Sequence, residues 1–145
     1  MKIVLMRHGK PELDLDSIKS KLSPASLGEI VEDYRAIGIA KDSLPPQDSI
    51  NISKSCSIAI SSDLQRAIDS LKILGVKQGA LTDPCFRESD LPYLNWKKPA
   101  FSFFTWALVF RIAWLFGFSK NGEHVRSAKR RAKIGADILN DLAFK

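Results

Sequence analysis

Apolar residues gather along this chain into short continuous runs, with stretches of helical period between them. Ile3-Val4-Leu5-Met6 is one run and Ser57-Ile58-Ala59-Ile60-Ser61 a second. Each predicts a buried strand, because a strand covered on both faces needs no polar alternation. A shorter strand is expected near Ala80-Leu81. Ser23-Pro24 reads as a helix start, a capping hydroxyl with proline at the first helical position, and that helix should run to about Gly38. Lys10 to Leu22 reads as loop, and so does Lys41 to Ser55 with its Pro45-Pro46. Asp63 can cap a further helix whose Leu64, Ala67, Ile68, Leu71 and Leu74 share one face. A long last helix is expected from Glu123 to about Ala143. Val125, Ala128, Ala132, Gly135, Leu139 and Leu142 would face inward, with basic residues opposite. Strands alternating with helices predict an α/β three-layer sandwich, a mostly parallel central sheet with helices on both faces.

Phe101 to Phe118 fits neither period. It is almost wholly apolar and aromatic, broken by Arg111. The expectation is a core or capping helix. A membrane-surface helix, or a lid over an apolar substrate, is the alternative. A span is the weakest reading, since a bilayer crossing needs about 20 apolar residues and Arg111 would sit mid-segment.

A chain of 145 residues is one ordinary domain, 1–145, long enough to close a core. Its net charge of +6 and pI near 9.4 favour anionic partners. Much of the excess lies in Arg126, Lys129, Arg130, Arg131 and Lys133, which helical spacing explains as a solvated face. Nucleic acid is therefore not the expected partner. Cys56 and Cys85 make neither a disulfide framework nor a Cys-x-x-Cys pair, and read as reduced residues of a cytoplasmic protein. No secretory signal is visible, because Arg7 cuts short the apolar stretch after Lys2. A metal is not expected either: His124 is the other histidine, and ligand spacing is absent.

Candidate chemistry begins at Arg7-His8-Gly9, directly behind the first expected strand. In open α/β sheets ligands sit at the carboxyl ends of strands, and a cation beside an imidazole suits an anion. Ser61-Ser62-Asp63-Leu64-Gln65-Arg66-Ala67 repeats the arrangement behind the second strand. Arg66 falls in the first turn of its helix, where the macrodipole slightly disfavours a cation. Free N–H groups at that helix start attract anions, so an anion between them would reconcile the two. Pairing with Asp69 is the structural alternative.

Arg7-His8-Gly9, Ser61-Ser62-x-x-x-Arg66-Ala67, Phe86-Arg87-Glu88-Ser89-Asp90 and Asn121-Gly122-Glu123, in that order, resemble the histidine phosphatase superfamily, also called phosphoglycerate mutase-like. The resemblance implies a small phosphatase that needs neither metal nor cofactor. His8 would attack phosphorus and become a phosphohistidine. Arg7 and Arg66 would clamp the phosphoryl oxygens. Glu88 would protonate the leaving oxygen and then deprotonate water, with Asp90 the second choice. The implied partner is a small-molecule or protein phosphomonoester. A phosphotransferase or mutase, or a non-catalytic phospho-ligand or protein-binding module, are the alternatives. The family pattern also expects a second histidine on a strand after the last helix, whereas this sequence stops at Lys145. The expectation is a C-terminally truncated domain, or else a pocket short of one donor and slower by ~10²-fold.

Overall fold

The computed structural model describes residues 2–76 and 80–144. Five helices are present among them: α1 (Pro24–Ala36), α2 (Gln47–Ser55), α3 (Gln65–Ile73), α4 (Phe103–Leu115) and α5 (Val125–Ala143). Among the described residues the strands form one parallel pair, β1 (Ala59–Ser61) and β2 (Ala80–Thr82), with Ala59 opposite Ala80 and Ser61 opposite Thr82. The chain divides into two compact units. The first comprises Met1–Leu13, Ala36–Arg87 and Lys133–Lys145; the second comprises Asp14–Arg35 and Glu88–Ala132.

The three-layer sandwich is not what forms. About half of the described residues are helical, and the sheet has two strands rather than a central layer. Ile3 to Met6 is not a strand: its backbone joins no ladder, and Ile3, Leu5 and Met6 are 48%, 86% and 42% exposed. An apolar run states that a segment can be buried but does not supply the neighbour a strand must pair with. β2 is exposed along its whole length, so the sheet lacks the two covered faces that the alternating pattern implied.

Within the first unit, the expected loop before β1 contains α2. This helix is polar, and side-chain bonds supplement its backbone ones. Gln47 donates to Asn51 at 3.1 Å, while the Ser53 and Ser55 hydroxyls donate to the Ile50 and Ile52 carbonyls at 2.8 and 2.7 Å. α3 ends at Gly75, whose φ of +73° allows its N–H to reach the Lys72 carbonyl and Val76 N–H to reach that of Leu71. At Gly135 of α5, an added Cβ would meet the Phe86 ring at 3.4 Å and Cys85 Sγ at 3.6 Å.

The second unit is built on aromatics. Ser23 caps α1 as its sequence suggests, accepting the Ser26 N–H at 3.1 Å. Leu27 of α1 is wholly buried against Phe103, Trp106 and Phe110 of α4. Phe110 stacks on Trp106 at 5.2 Å and on Phe118 at 5.9 Å. Trp106 Nε1 donates to the Leu22 carbonyl at 2.8 Å, and Leu22 in turn pairs with Phe101 in an antiparallel bridge. α4 is thus the core helix expected of the aromatic segment. On α5, Ala128 is buried but Ala132 is exposed; half-buried Arg131 turns inward to Glu123 at 2.6 Å.

α4 ends as α3 does. Gly117, at φ +98°, donates to Trp114, and Phe118 N–H reaches Ala113. No heavy atom lies within 4 Å of a Cβ built there, so Gly117→Ala carries backbone strain alone. Its expected cost is about 1 kcal/mol, read as a lower thermal unfolding midpoint.

Candidate functional site

His8 sits on the irregular N-terminal segment of the first unit. Its Nδ1 lies 2.7 Å from the Gly9 carbonyl oxygen. A carbonyl only accepts, so Nδ1 carries a proton, and in the neutral ring Nε2 keeps its lone pair. Nε2 is buried and has no hydrogen-bond partner among the described residues. A purely structural histidine gains nothing from that arrangement, because an unpaired buried polar atom costs about 1–3 kcal/mol.

Two serines hold the segment. Gly9 N–H donates to Ser70 Oγ at 2.9 Å, and the Ser70 hydroxyl donates to the Arg66 carbonyl at 2.7 Å. One α3 side chain therefore joins the Arg-His-Gly backbone to the first turn of α3, which carries Arg66. Lys10 N–H donates to Ser43 Oγ at 2.9 Å. A Cβ on Gly9 would lie 2.6 Å from that same oxygen. Ser43 could yield only by releasing Lys10, so the position calls for glycine.

Arg66 is 2% exposed, and Ser61 and Ser62, at the end of β1, are 8% and 7% exposed. Ser61 Oγ is buried without a hydrogen-bond partner among the described residues. Arg66 is thus a nearly buried cation in the first turn of α3, the end of a helix where backbone N–H groups favour an anion. Arg7 is exposed. Glu88 belongs to the second unit and is exposed there. Asp90 is half-buried in an ion pair: its oxygens accept from Arg35 at 3.1 and 3.0 Å, and Arg35 also grips Glu32 at 2.7 Å. That pair gives Asp90 a structural role.

Asp63 does not cap α3, which starts two residues later with Leu64 as its cap residue. Its carboxylate is instead gripped through both oxygens by Arg87, from the turn after β2. The Arg87 hydrogen bond, reinforced by its charge, holds the Asp63 carboxyl below its ordinary range. Asp69 accepts from Gln65 at 2.8 Å and Lys72 at 3.1 Å. His124 Nδ1 accepts the Arg126 N–H at 3.1 Å and so caps α5. Glu123 is tied to Arg131, and its carbonyl accepts Trp114 Nε1 at 2.6 Å.

Ser70 and Ser43 have no motif to announce them. The one signal is that a serine inside a helix, bonded back to the carbonyl four residues earlier, keeps oxygen lone pairs for an outside donor. Among the described residues no group of three or more His, Cys, Asp or Glu side chains could hold a metal ion. Comparison with protein-family models, with curated proteins and with solved structures finds no match.

Removing the serine bridge with Ser70→Ala should cost about 1–2 kcal/mol and speed hydrogen exchange at the Gly9 amide. An unchanged amide would show that Ser70 does not hold the segment. The Asp63–Arg87 pair predicts a pH effect. A carboxyl depressed by folding contributes stability above its unfolded value, about 3.9, and that contribution disappears as pH falls through the lower folded value. Asp63→Asn should therefore flatten the acid limb of stability below about pH 4 while lowering stability near neutrality, as read from urea midpoints.

Proposed function

We propose that this chain is a phosphomonoester hydrolase working through a phosphohistidine at His8, as the resemblance to the histidine phosphatase superfamily implies. One observation carries the reading: the His8 ring has its Nδ1 proton committed to Gly9 while Nε2 is buried and unpartnered. A lone pair left free by a proton fixed on Nδ1 is what a nitrogen nucleophile requires. The buried cation Arg66, on the helix bonded to the same segment, supports an anionic substrate.

In the first step the Nε2 lone pair attacks phosphorus and the bond to the leaving oxygen breaks. That oxygen takes a proton from a general acid, the role that the resemblance gives to Glu88. In the second step water attacks phosphorus, passing a proton to the conjugate base of that acid, and the P–N bond breaks to restore His8 and release phosphate. Arg7 and Arg66 neutralise the transferring group, whose charge spreads over its non-bridging oxygens. Asp90 is left in its Arg35 pair.

The test is p-nitrophenyl phosphate turnover followed by rapid quench. Acid-labile, base-stable phosphate should appear on His8. His8→Ala should lower kcat by at least about 10³-fold, and Glu88→Gln should lower it by at least about 10²-fold. Label on another residue, or turnover indifferent to His8→Ala, would overturn the proposal.

A further inference from the structure

α4 departs from the usual design of a surface helix. Its buried stripe is Phe103, Trp106 and Phe110, and the opposite face should be polar. Instead that face carries Phe104, Leu108, Ile112 and Leu115, which are 56%, 63%, 47% and 62% exposed. These positions recur at helical spacing and form one stripe along about 17 Å of helix. Thr105 is the one polar side chain on this face, and its hydroxyl is engaged with Ser102 Oγ at 2.8 Å. Arg111, at the stripe's edge, folds away from it. Its guanidinium donates to the Ser89 carbonyl at 3.3 Å and lies 5.2 Å from the Trp114 ring centroid.

Charge identifies what covers such a face. No Asp or Glu occurs between Asp90 and Glu123. Lys97 and Lys98 precede α4, Lys120 follows it, and all three are exposed. Trp96, beside the lysine pair, is 59% exposed; tryptophan favours the boundary between water and hydrocarbon. A second copy is a poor cover, because self-pairing sets the same patch on both chains. Both copies would bring the same positive excess, Lys97, Lys98 and Lys120, with no carboxylate in 91–122 to offset it. A surface that is apolar beneath and anionic above satisfies both halves of the pattern. A helix of 13 residues cannot cross a bilayer core, which takes about 20. No helix among the described residues is long and apolar enough to do so.

We propose that the exposed face of α4 seats this protein on an anionic lipid surface. The helix lies in the membrane plane, with Phe104, Leu108 and Ile112 at the acyl boundary and Lys97, Lys98 and Lys120 among the headgroup phosphates. The site is independent of the chemistry at His8 and stands whether or not that chemistry is phosphoryl transfer.

The full chain is mixed with vesicles of phosphatidylcholine, with or without phosphatidylserine, and binding is read by co-sedimentation and the tryptophan emission shift. Binding should require phosphatidylserine and weaken as salt rises. Replacing both Lys97 and Lys98 by Gln should weaken it by roughly five-fold per lysine. Leu108→Glu should abolish it with an unchanged circular dichroism spectrum, since the position is exposed. Phe104→Ser supplies an independent variant, for which a weakened affinity is expected. Equal binding to both vesicle types, or undiminished binding by the folded Leu108→Glu or Phe104→Ser chain, would overturn the proposal. So would a wild-type dimer that Leu108→Glu converts to monomer without any vesicle binding, since the occupant would then be a second copy.

Discussion

Ser70 carries the constraint on which the candidate site depends. Its oxygen takes the Gly9 N–H and its hydroxyl gives to the Arg66 carbonyl, so the N-terminal segment is fastened to α3 without any strand ladder. The neighbouring bonds extend the same hold. Lys10 donates to Ser43, Ala40 N–H reaches the Lys10 carbonyl at 2.8 Å, and Glu12 N–H reaches that of Gly38 at 3.1 Å. Backbone groups that a sheet would have satisfied are satisfied here by two hydroxyls and a crossing loop. Gly9 is where this becomes tight, because both serines meet the chain within two residues.

The second unit is organised by dispersion and area rather than by hydrogen bonds. Trp106, Phe110 and Phe118 form a stack that Leu27 closes from α1, and one indole N–H is spent on the Leu22 carbonyl. Aromatic burial on this scale is enough to fix one face of α4. It does nothing to the other face, which is equally apolar. The same composition that makes the core also leaves the exposed stripe, so the two features have a single origin in the sequence from Phe101 to Phe118.

Legibility followed how local each cause was. α1 is announced by Ser23-Pro24 and α5 by its period, and β1 and β2 by short apolar runs, because capping and periodicity are read within a few residues. α2 was hidden, since Gln47 to Ser55 lacks an apolar face and is knit by side-chain bonds. Ile3 to Met6 misled, because a strand exists only through its neighbour. The outward face of α4 could not be chosen in a segment apolar all round. Asp63 looked like a cap and became an ion-pair partner of Arg87, 24 positions away. The Arg87 fork engages both carboxylate oxygens, whereas a cap would engage one. His8 and Arg66 stood out through their motifs, whereas the serine that joins their backbones did not.

A histidine displayed on a covered sheet borrows its precision from the ladder. His8 has no ladder, and the apolar side chains before it face water. Its placement must come from bonds that move together. The Nδ1 bond runs to the next residue's own carbonyl, so the ring's tautomer travels with the backbone. The Gly9 amide and the Arg66 carbonyl meet on one hydroxyl, so a displacement of α3 carries the histidine's backbone with it. Two bonds through one oxygen preserve a relative position even where neither element is rigid, and relative position is what the roles proposed for His8 and Arg66 would require.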